Sequence, residues 1–228
     1  MLEVEDLNVS YGQMPAVREV SMGVAGGEIL AVIGSNGAGK STLLKAIAGQ
    51  LPPDSGSIRF NGQEVSKLPA FRRARLGMIM VPEGRRLFRS LTVEENLMVS
   101  FSTRRRGPWT LDTVYDAVPI VAERRHRLAG DLSGGEAQAT AIARALIANP
   151  ELLMLDEVSL GLAPVVVAQI YALIPAIMQQ GTAVLVVEQD VQQAVKASPN
   201  VHCLLQGRTS LAGRDLSLDD ISRAYFGA

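Results

Sequence analysis

Residues 34–42 are the stretch of the chain whose residue types and spacing are best suited to chemistry. They read Gly-Ser-Asn-Gly-Ala-Gly-Lys-Ser-Thr and fit the pattern Gly-x-x-x-x-Gly-Lys-Ser. Glycines in such a loop allow successive backbone N–H groups to turn toward one anion, while Lys40 supplies a positive charge for the β- and γ-phosphates of a nucleotide. Ser41 supplies a hydroxyl ligand for Mg²⁺. The predicted polyphosphate site comprises Gly34, Ser35, Asn36, Gly37, Ala38, Gly39, Lys40, Ser41 and Thr42.

The segments on either side of this loop suit the same chemistry. Residues 29–33 are an apolar run that predicts a buried strand, and residues 42–48 have the apolar spacing of a helix. The N-terminus of that helix, where backbone N–H groups are free, then points at the anion. The alternative is a glycine-rich turn that binds no ligand.

A second candidate lies at residues 152–157, where four apolar residues precede Asp156 and Glu157. A buried strand that ends in Asp places a carboxylate at the edge of the sheet where open α/β folds bind ligands. Asp156 can hold Mg²⁺ through water, and Glu157 is then placed to orient or deprotonate an attacking water. The alternative is a strand that ends in a solvated acidic turn.

A third candidate is the segment Leu132-Ser133-Gly134-Gly135-Glu136. Ser and Glu three residues apart form a capping box at a helix start, which is the simplest interpretation. The two glycines indicate in addition that a ligand approaches the backbone, and a hydroxyl beside the positive end of a helix favours an anion. Two phosphate-binding surfaces on one chain predict a head-to-tail pair, in which the second surface of each chain closes over the nucleotide of the other.

Composition limits the classes of function. The 228 residues include 22 basic and 23 acidic side chains, which gives no electrostatic case for nucleic acid or an anionic membrane surface. Cys203 is the single cysteine, so no intrachain disulfide can form, as suits a reducing cytosol. We expect no signal peptide at residues 1–5 and no transmembrane segment, because no apolar run approaches about 20 residues. Action at a membrane would therefore require docking onto other chains.

Strand and helix patterns alternate along the chain and predict a mainly parallel sheet. Residues 58–62 read as a hairpin, and strands are expected in the first 33 residues and at residues 78–81, 152–155, 183–187 and 201–205. The segment 85–135 contains helical patterns without a strand and resembles a lobe inserted into the sheet domain. Helices are predicted from Thr92 through Phe101, from Leu111 to Arg125, from Ser133 to Ala148, and from Pro164 to Gly181 with a kink at Pro175.

The order of these three motifs resembles the ATP-binding cassette (ABC) family of ATPases, and the resemblance covers nearly the whole chain. A closer similarity, to the ATP-binding subunits of branched-chain amino-acid importers, rests on residues 81–88, 91–97, 159–164 and 187–189. The family implies an α/β fold of the P-loop NTPase (RecA-like) type, with a mainly parallel core sheet, an N-terminal antiparallel β subdomain and an inserted α-helical subdomain.

The resemblance also implies a domain organisation. The expected unit is a single nucleotide-binding domain over residues 1–228. Its catalytic core and β subdomain would comprise approximately residues 1–84 and 136–228, and its helical subdomain approximately residues 85–135.

The resemblance further implies ATP and Mg²⁺ as ligands and assigns roles to single residues. Tyr11 would stack on adenine, the alternative being an ordinary tyrosine at a strand end. Glu157 would be the catalytic base, with Lys40, Gln189 and Glu83 as the other catalytic residues. The implied ligands of Mg²⁺ are Ser41, Asp156 and Glu83. The implied contacts with the γ-phosphate of a partner's ATP come from the signature segment Ser133, Gly134, Gly135 and Glu136.

Some positions depart from the wider family. Glu83 stands where most members have Gln, and Gln189 stands where most have His, although both replacements also occur in the branched-chain subgroup. Gln189 can donate to a phosphate oxygen but cannot carry a proton. Val158 stands where Pro is usual. These differences leave open a nucleotide-sensing module with little turnover.

The expected function is that of an ATP-hydrolysing subunit, peripheral at the cytoplasmic face of the membrane, which drives uptake of branched-chain or other amino acids. Its expected partners are membrane permease subunits, a second ABC ATPase as homodimer or heterodimer, and indirectly an external solute-binding protein, but no nucleic acid. Urea and amides are further candidate solutes. Another alternative is an ABC ATPase that serves nucleic acid or ribosomes, although such proteins usually carry fused cassettes, a coiled coil or basic extensions.

Overall fold

The computed structural model describes residues 1–103 and 105–226. The central feature of these residues is a six-stranded sheet with the strand order β10-β9-β3-β8-β7-β6. All neighbouring strands are parallel except β9 and β10, which confirms the predicted mainly parallel sheet. The strands are β3 (Ile29–Ile33), β6 (Met78–Val81), β7 (Leu152–Asp156), β8 (Ala183–Glu188), β9 (Asn200–Leu205) and β10 (Arg208–Arg214).

The middle of this sheet is buried on both faces. Every residue of β3, β7 and β8 is buried, which explains their continuous apolar sequences. Because the three strands are parallel, their carboxyl ends lie at the same edge of the sheet. Gly34, Glu157 and Gln189 each follow directly after one of these strands, so the topology brings the corresponding segments together.

A second, antiparallel sheet is formed by β1 (Leu2–Tyr11), β2 (Met14–Val24), β4 (Ser55–Phe60) and β5 (Gln63–Glu64). Its strand order is β2-β1-β4-β5. Leu2 and Val4 are buried while Glu3 and Glu5 are exposed, as expected for a sheet with one solvated face. This arrangement confirms the N-terminal antiparallel sheet and the hairpin at residues 58–62.

Helices cover both faces of the central sheet. The helix α1 lies in the core between the two sheets, whereas α3 to α8 pack on the opposite face and α9 and α10 flank one side. The helices are α1 (Lys40–Ile47), α2 (Ala70–Leu76), α3 (Val93–Met98), α4 (Leu111–Ala117), α5 (Pro119–Glu123), α6 (Gly134–Ile147), α7 (Pro164–Ala172), α8 (Ile174–Gln179), α9 (Val191–Ala197) and α10 (Leu218–Phe226).

Two predicted helices were wrong in extent. The segment from Leu111 to Arg125 is two helices, because Pro119 begins the second one and Val118 between them has the non-helical angles φ −131° and ψ 72°. The helix that starts after Thr92 is α-helical only to Met98 and continues as a 3₁₀ helix over Val99–Thr103.

The other helix predictions are confirmed. Thr92 and Ser133 each head a capping box. Pro175 does interrupt the helix that starts at Pro164, since α7 ends at Ala172 and α8 begins at Ile174. No helix among the described residues is both long and apolar enough to cross a bilayer.

Candidate nucleotide-binding and hydrolysis site

The loop at residues 34–42 is shaped by its glycines and by two neighbouring strands. Gly39 precedes α1 with φ +99°, in the left-handed region that favours glycine. A Cβ atom at Gly39 would lie 2.3 Å from the backbone oxygen of Ala16 in β2, so only glycine fits there. The backbone N–H of Gly207, between β9 and β10, donates to the carbonyl of Ala38 at 3.0 Å. The loop is therefore fixed from two sides.

Lys40 lies almost buried within this loop, with 4% of its surface exposed. Its ammonium donates hydrogen bonds to the carbonyls of Gly34 at 2.8 Å and Ser35 at 3.1 Å. The same nitrogen lies 3.4 Å from Oε1 of Glu157. Lys40 thus joins the predicted phosphate loop to the predicted base.

Ser41 and Asp156 form the second link between these segments. The Ser41 hydroxyl donates to Oδ1 of Asp156 at 3.0 Å. Burial raises the pKa of Asp156, the hydrogen bond from Ser41 opposes this, and the charges of Glu157 and Glu83 raise the pKa further. A divalent cation would relieve that repulsion, and hydroxyl and carboxylate oxygens are the ligands that Mg²⁺ prefers.

The described residues contain no group of three or more His, Cys, Asp or Glu side chains that could hold a metal ion unaided. Mg²⁺ is usually held by one or two carboxylates together with water and substrate phosphates. Ser41 and Asp156 therefore fit the cation, and Glu83 is close enough for its charge to act on Asp156.

Glu157 is held at both its backbone and its side chain. Its φ of +48° is uncommon for a residue other than glycine and costs on the order of 1–3 kcal/mol. Its backbone N–H donates to the carbonyl of Val187 at 3.0 Å. Its Oε2 accepts a hydrogen bond from Nε2 of Gln189 at 2.6 Å. Strain of this kind concentrates at functional sites.

One cleft of about 380 Å³ brings part of the phosphate loop together with Glu83, Glu157 and Gln189. Glu83 also borders a neighbouring cleft of about 450 Å³, which Asp156 lines as well. The described lining of the first cleft includes Asn36, Lys40, Ser41, Glu83, Glu157 and Gln189. The predicted base, cation ligands and phosphate loop are thus neighbours in the fold.

Tyr11 does not line this cleft. It lies at the end of β1, opposite Met14, and 51% of its surface is exposed. Ala16, two residues after Met14, does line the cleft, so the hairpin that carries Tyr11 lies next to the phosphate loop. Stacking of Tyr11 on adenine stays a prediction.

Ser133 and Glu136 form a capping box at the start of α6. The backbone N–H of Ser133 donates to Oε2 of Glu136 at 2.8 Å, and Nε of Arg124 donates to Oε1 of Glu136 at 2.7 Å. The hydrogen bonds from Arg124 and Ser133 lower the pKa of Glu136 to about 2. The carboxylate therefore stays ionised, and the Ser133 side chain remains exposed at the helix end.

The segment 133–136 lines a different cleft, of about 680 Å³, together with residues of α7. Within one chain the structure does not bring this segment into the cleft of Lys40. A Cβ atom at Gly135 would lie 2.8 Å from Cγ1 of Val166, so packing inside the chain also favours glycine there. The sequence had suggested only a ligand as the reason for this glycine.

Sequence reasoning missed Arg144, which joins α6 to the loop that follows Glu83. Its guanidinium donates to the carbonyls of Arg86 at 2.9 Å and Arg85 at 3.1 Å. Both acceptors have positive φ, +49° and +64° respectively. The helix that begins after Ser133 and the loop that carries Glu83 are therefore connected. An arginine inside a helical pattern gave no signal of this contact.

Comparison with known proteins places this geometry in context. The family model described as ABC transporter matches residues 17–159. The branched-chain amino acid transport ATP-binding protein BraG of Pseudomonas aeruginosa is 43% identical over 91% of this chain and 90% of its own length. The probable branched-chain amino acid transport ATP-binding protein LivF of Archaeoglobus fulgidus is 37% identical over 93% and 92%.

More distant similarities extend to an export system and to solved structures. The lipopolysaccharide export ATP-binding protein LptB of Haemophilus influenzae is 32% identical over 100% of this chain and 97% of its own. The dimeric structure of the ATP-binding cassette MJ0796 bound to ADP and Pi has a TM-score of 0.84 at 22% identity, covering 96% of this chain and 100% of that one. This last likeness shows a shared fold.

Proposed function

The chain belongs to the ABC transporter family, and we propose that it is the ATP-hydrolysing subunit of an importer for branched-chain amino acids. Membership of the family makes it a nucleotide-binding ATPase subunit of a transporter. The choice of solute rests on the similarity to BraG and LivF over nine-tenths of the chain. Specificity itself belongs to the external receptor and membrane chains.

The observation that carries the proposal is the convergence of Lys40, Glu157 and Gln189 in one cleft. Lys40 supplies a fixed positive charge for the terminal phosphates of ATP. Glu157 accepts a proton from the attacking water, and the amide of Gln189 orients its carboxylate. Ser41 and Asp156 would hold Mg²⁺, which when bound neutralises charge on the β- and γ-phosphates.

The second glycine-rich segment supports a pair of cassettes. In one chain the segment 133–136 and Lys40 line separate clefts. We therefore assign Ser133, Gly134 and Gly135 to the nucleotide of a second cassette, either another copy of this chain or a related chain. Backbone N–H groups at the start of α6 would face the γ-phosphate, where charge develops during hydrolysis.

The remaining assignments follow from this pairing. The loop from Glu83 to Phe88 would border the groove for a permease subunit, and the helical segment 85–135 would pass the closing motion to it. Arg144 supports this assignment, because it connects that loop with α6. Peripheral attachment at the cytoplasmic face follows from docking onto the permease.

Measurement of ATP hydrolysis separates this proposal from a nucleotide sensor without turnover. We expect Glu157→Gln to reduce kcat by at least about 100-fold, because one catalytic proton transfer contributes about 10²–10⁴-fold. The variant should still bind ATP and should dimerise more strongly with it. Lys40→Ala is the matched control and should lose nucleotide binding. Equal low turnover in wild type and Glu157→Gln would favour the sensor.

The transported solute is tested in the assembled complex. Co-purification from membranes with permease and binding-protein partners, followed by uptake of leucine, isoleucine and valine, should give ATP-dependent transport. Uptake of urea or short amides instead, or association with a lipid-export assembly of the kind named for LptB, would contradict the choice of solute but leave the ATPase assignment intact.

A further inference from the structure

Glu188 is a buried carboxylate whose partners link three segments around the predicted base. It is the last residue of β8, directly before Gln189, and only 2% of its surface is exposed. The hydroxyl of Ser159 donates to its Oε2 at 2.7 Å. The hydroxyl of Tyr171, on α7, donates to its Oε1 at 2.7 Å. Both carboxylate oxygens are therefore satisfied by side chains from other segments.

Three consecutive residues, the last two of β8 and the one that follows it, hold the segment after β7. The carbonyl of Val187 accepts from the backbone N–H of Glu157, and the side chain of Gln189 donates to the Glu157 carboxylate. Glu188, between these two, accepts from Ser159. Residues 187, 188 and 189 thus fix the backbone of Glu157, the turn that follows it and its carboxylate.

The buried carboxylate of Glu188 would destabilise the folded chain without its two hydroxyl donors. Burial raises the pKa of Glu188, hydrogen bonds from Ser159 and Tyr171 oppose that rise, and the charge of Glu157 adds to it. A buried carboxylate is strongly destabilising unless its oxygens are satisfied. Ser159 and Tyr171 are therefore held against Glu188, and the left-handed backbone of Glu157 is held with them.

We propose that Glu188 is a positioning residue for ATP hydrolysis, which acts through Ser159 to align the Glu157 carboxylate against Gln189. Tyr171 anchors the other carboxylate oxygen and so fixes α7 relative to the base. This inference rests on the proposed role of Glu157. It adds a requirement beyond the cleft itself, because Glu188 is not among the residues that line it.

The test compares Glu188→Ala with Glu188→Gln. A Gln amide can accept from one hydroxyl and donate to the other, so Glu188→Gln should keep kcat within about threefold. Glu188→Ala removes both contacts and should lower kcat roughly 10- to 100-fold, because a displacement of about 1 Å in a catalytic group can cost about 100-fold. The Kd for ATP should change less than about twofold in both, since neither Lys40 nor the loop is altered.

A matched control separates positioning from general destabilisation. Thr182 is also buried, with 3% exposed, and donates to the carbonyl of Pro150 at 2.8 Å, away from the turn after Glu157. Thr182→Val should lower the melting temperature without lowering kcat per folded molecule. If Glu188→Ala likewise lowers the melting temperature but keeps the wild-type kcat per folded molecule, as expected for this control, the proposal is overturned.

A double-mutant cycle gives the second readout. Tyr171→Phe alone should lower kcat about three- to tenfold, and adding it to Glu188→Ala should cause little further loss, because residues that act as a unit are not additive. If Glu188→Ala fails to fold, the kcat values of Tyr171→Phe and Ser159→Ala test the proposal instead. An unchanged kcat in both variants overturns it. Full turnover of Glu157→Gln would instead overturn the proposed function.

Discussion

Gln189 distinguishes this site from one that carries His at the same position. It donates a 2.6 Å hydrogen bond to Glu157, and unlike His it has no proton to lose near neutral pH. Histidine titrates near pH 6.5, so the pH–rate profile of a site with His in this position would have a limb near that pH. The geometry therefore predicts that the rate of hydrolysis changes little with pH near neutrality.

We expect kcat of the wild type to be nearly constant between about pH 6 and pH 8, because the amide of Gln189 carries no proton that titrates there. Gln189→His should introduce a limb with an apparent pKa near 6.5, and Gln189→Ala should lower kcat at every pH without introducing one. Profiles of kcat at saturating ATP test this. A steep wild-type limb near pH 6.5 would contradict the role given to Gln189.

Residue types and spacing predicted that the phosphate loop and Glu157 meet at one edge of the sheet, and the family resemblance added Glu83 and Gln189. Neither predicted how these side chains are oriented, and Tyr11 does not line the cleft. The positive φ of Glu157 and its hydrogen bond to the Val187 carbonyl depend on the pairing of β7 with β8. Glu188 gave no signal in the sequence, because its role depends on Ser159 and Tyr171, which are distant along the chain. Tertiary contacts of this kind are not encoded in local patterns.

Helix α6 connects the capping box at Ser133 with the loop at residues 85–86. Its first turn carries the capping box of Ser133 and Glu136, and Arg144, near its other end, donates to the loop at residues 85–86. The guanidinium is partly buried, and this burial lowers the pKa of Arg144. Both of the carbonyls that accept its hydrogen bonds belong to residues in the left-handed conformation.

We predict that Arg144→Ala lowers the free energy of unfolding by about 1–3 kcal/mol, because two carbonyls lose a charged donor. The same change should uncouple ATPase activity from transport, because the loop after Glu83 is no longer fixed to α6. Urea unfolding and transport per ATP hydrolysed are the measurements. Arg214→Ala, at an exposed end of β10, is the control and should change neither. Unaltered coupling in Arg144→Ala would contradict the connector role.

Elements with strong periodicity or clear end signals could be predicted, and short elements could not. The strands β3, β7 and β8 and the helix α6 were recognised because their apolar residues are continuous or regularly spaced. Pro119 should have divided the helix predicted from Leu111 to Arg125. The seven-residue helices α2 and α9 and the exposed strand β10 lack a long apolar pattern and were not recognised.

His202 links the stability of the whole molecule to pH. It lies in β9, between β3 and β10, with 3% of its surface exposed and its Nε2 2.9 Å from the hydroxyl of Thr209. Burial lowers its pKa from 6.5 to about 4. Between these values the unfolded chain binds a proton at His202 that the folded chain does not. The part of the free energy of unfolding that neutral His202 contributes above pH 6.5 is therefore lost as the pH falls toward 4.

We expect the free energy of unfolding to fall by about 3 kcal/mol from this group alone between about pH 6.5 and pH 4. Urea unfolding of wild type and His202→Asn at each pH isolates this contribution from that of the carboxylates. The exposed His126 provides the matched control, and His126→Asn should keep the wild-type slope. An identical slope for His202→Asn would contradict neutral burial of the imidazole.

The pair of cassettes is the claim on which the account of the whole molecule depends. One chain carries the phosphate loop in one cleft and the segment 133–136 in another, so the proposed mechanism needs a neighbour that supplies the second surface. The neighbour can be another copy of this chain or a related ATPase, and the test has to accept either.

Photo-cross-linking in the transporter complex purified from membranes can detect this neighbour. A p-benzoylphenylalanine at the exposed Asp131, two residues before Ser133, would be activated in the Glu157→Gln variant with ATP, with ADP and without nucleotide. The same group at Arg214 is the control. We predict an ATP-dependent cross-link to a neighbouring chain, in a peptide with the sequence pattern of residues 34–42. Cross-links confined to the chain's own residues, or independent of ATP, would contradict the account.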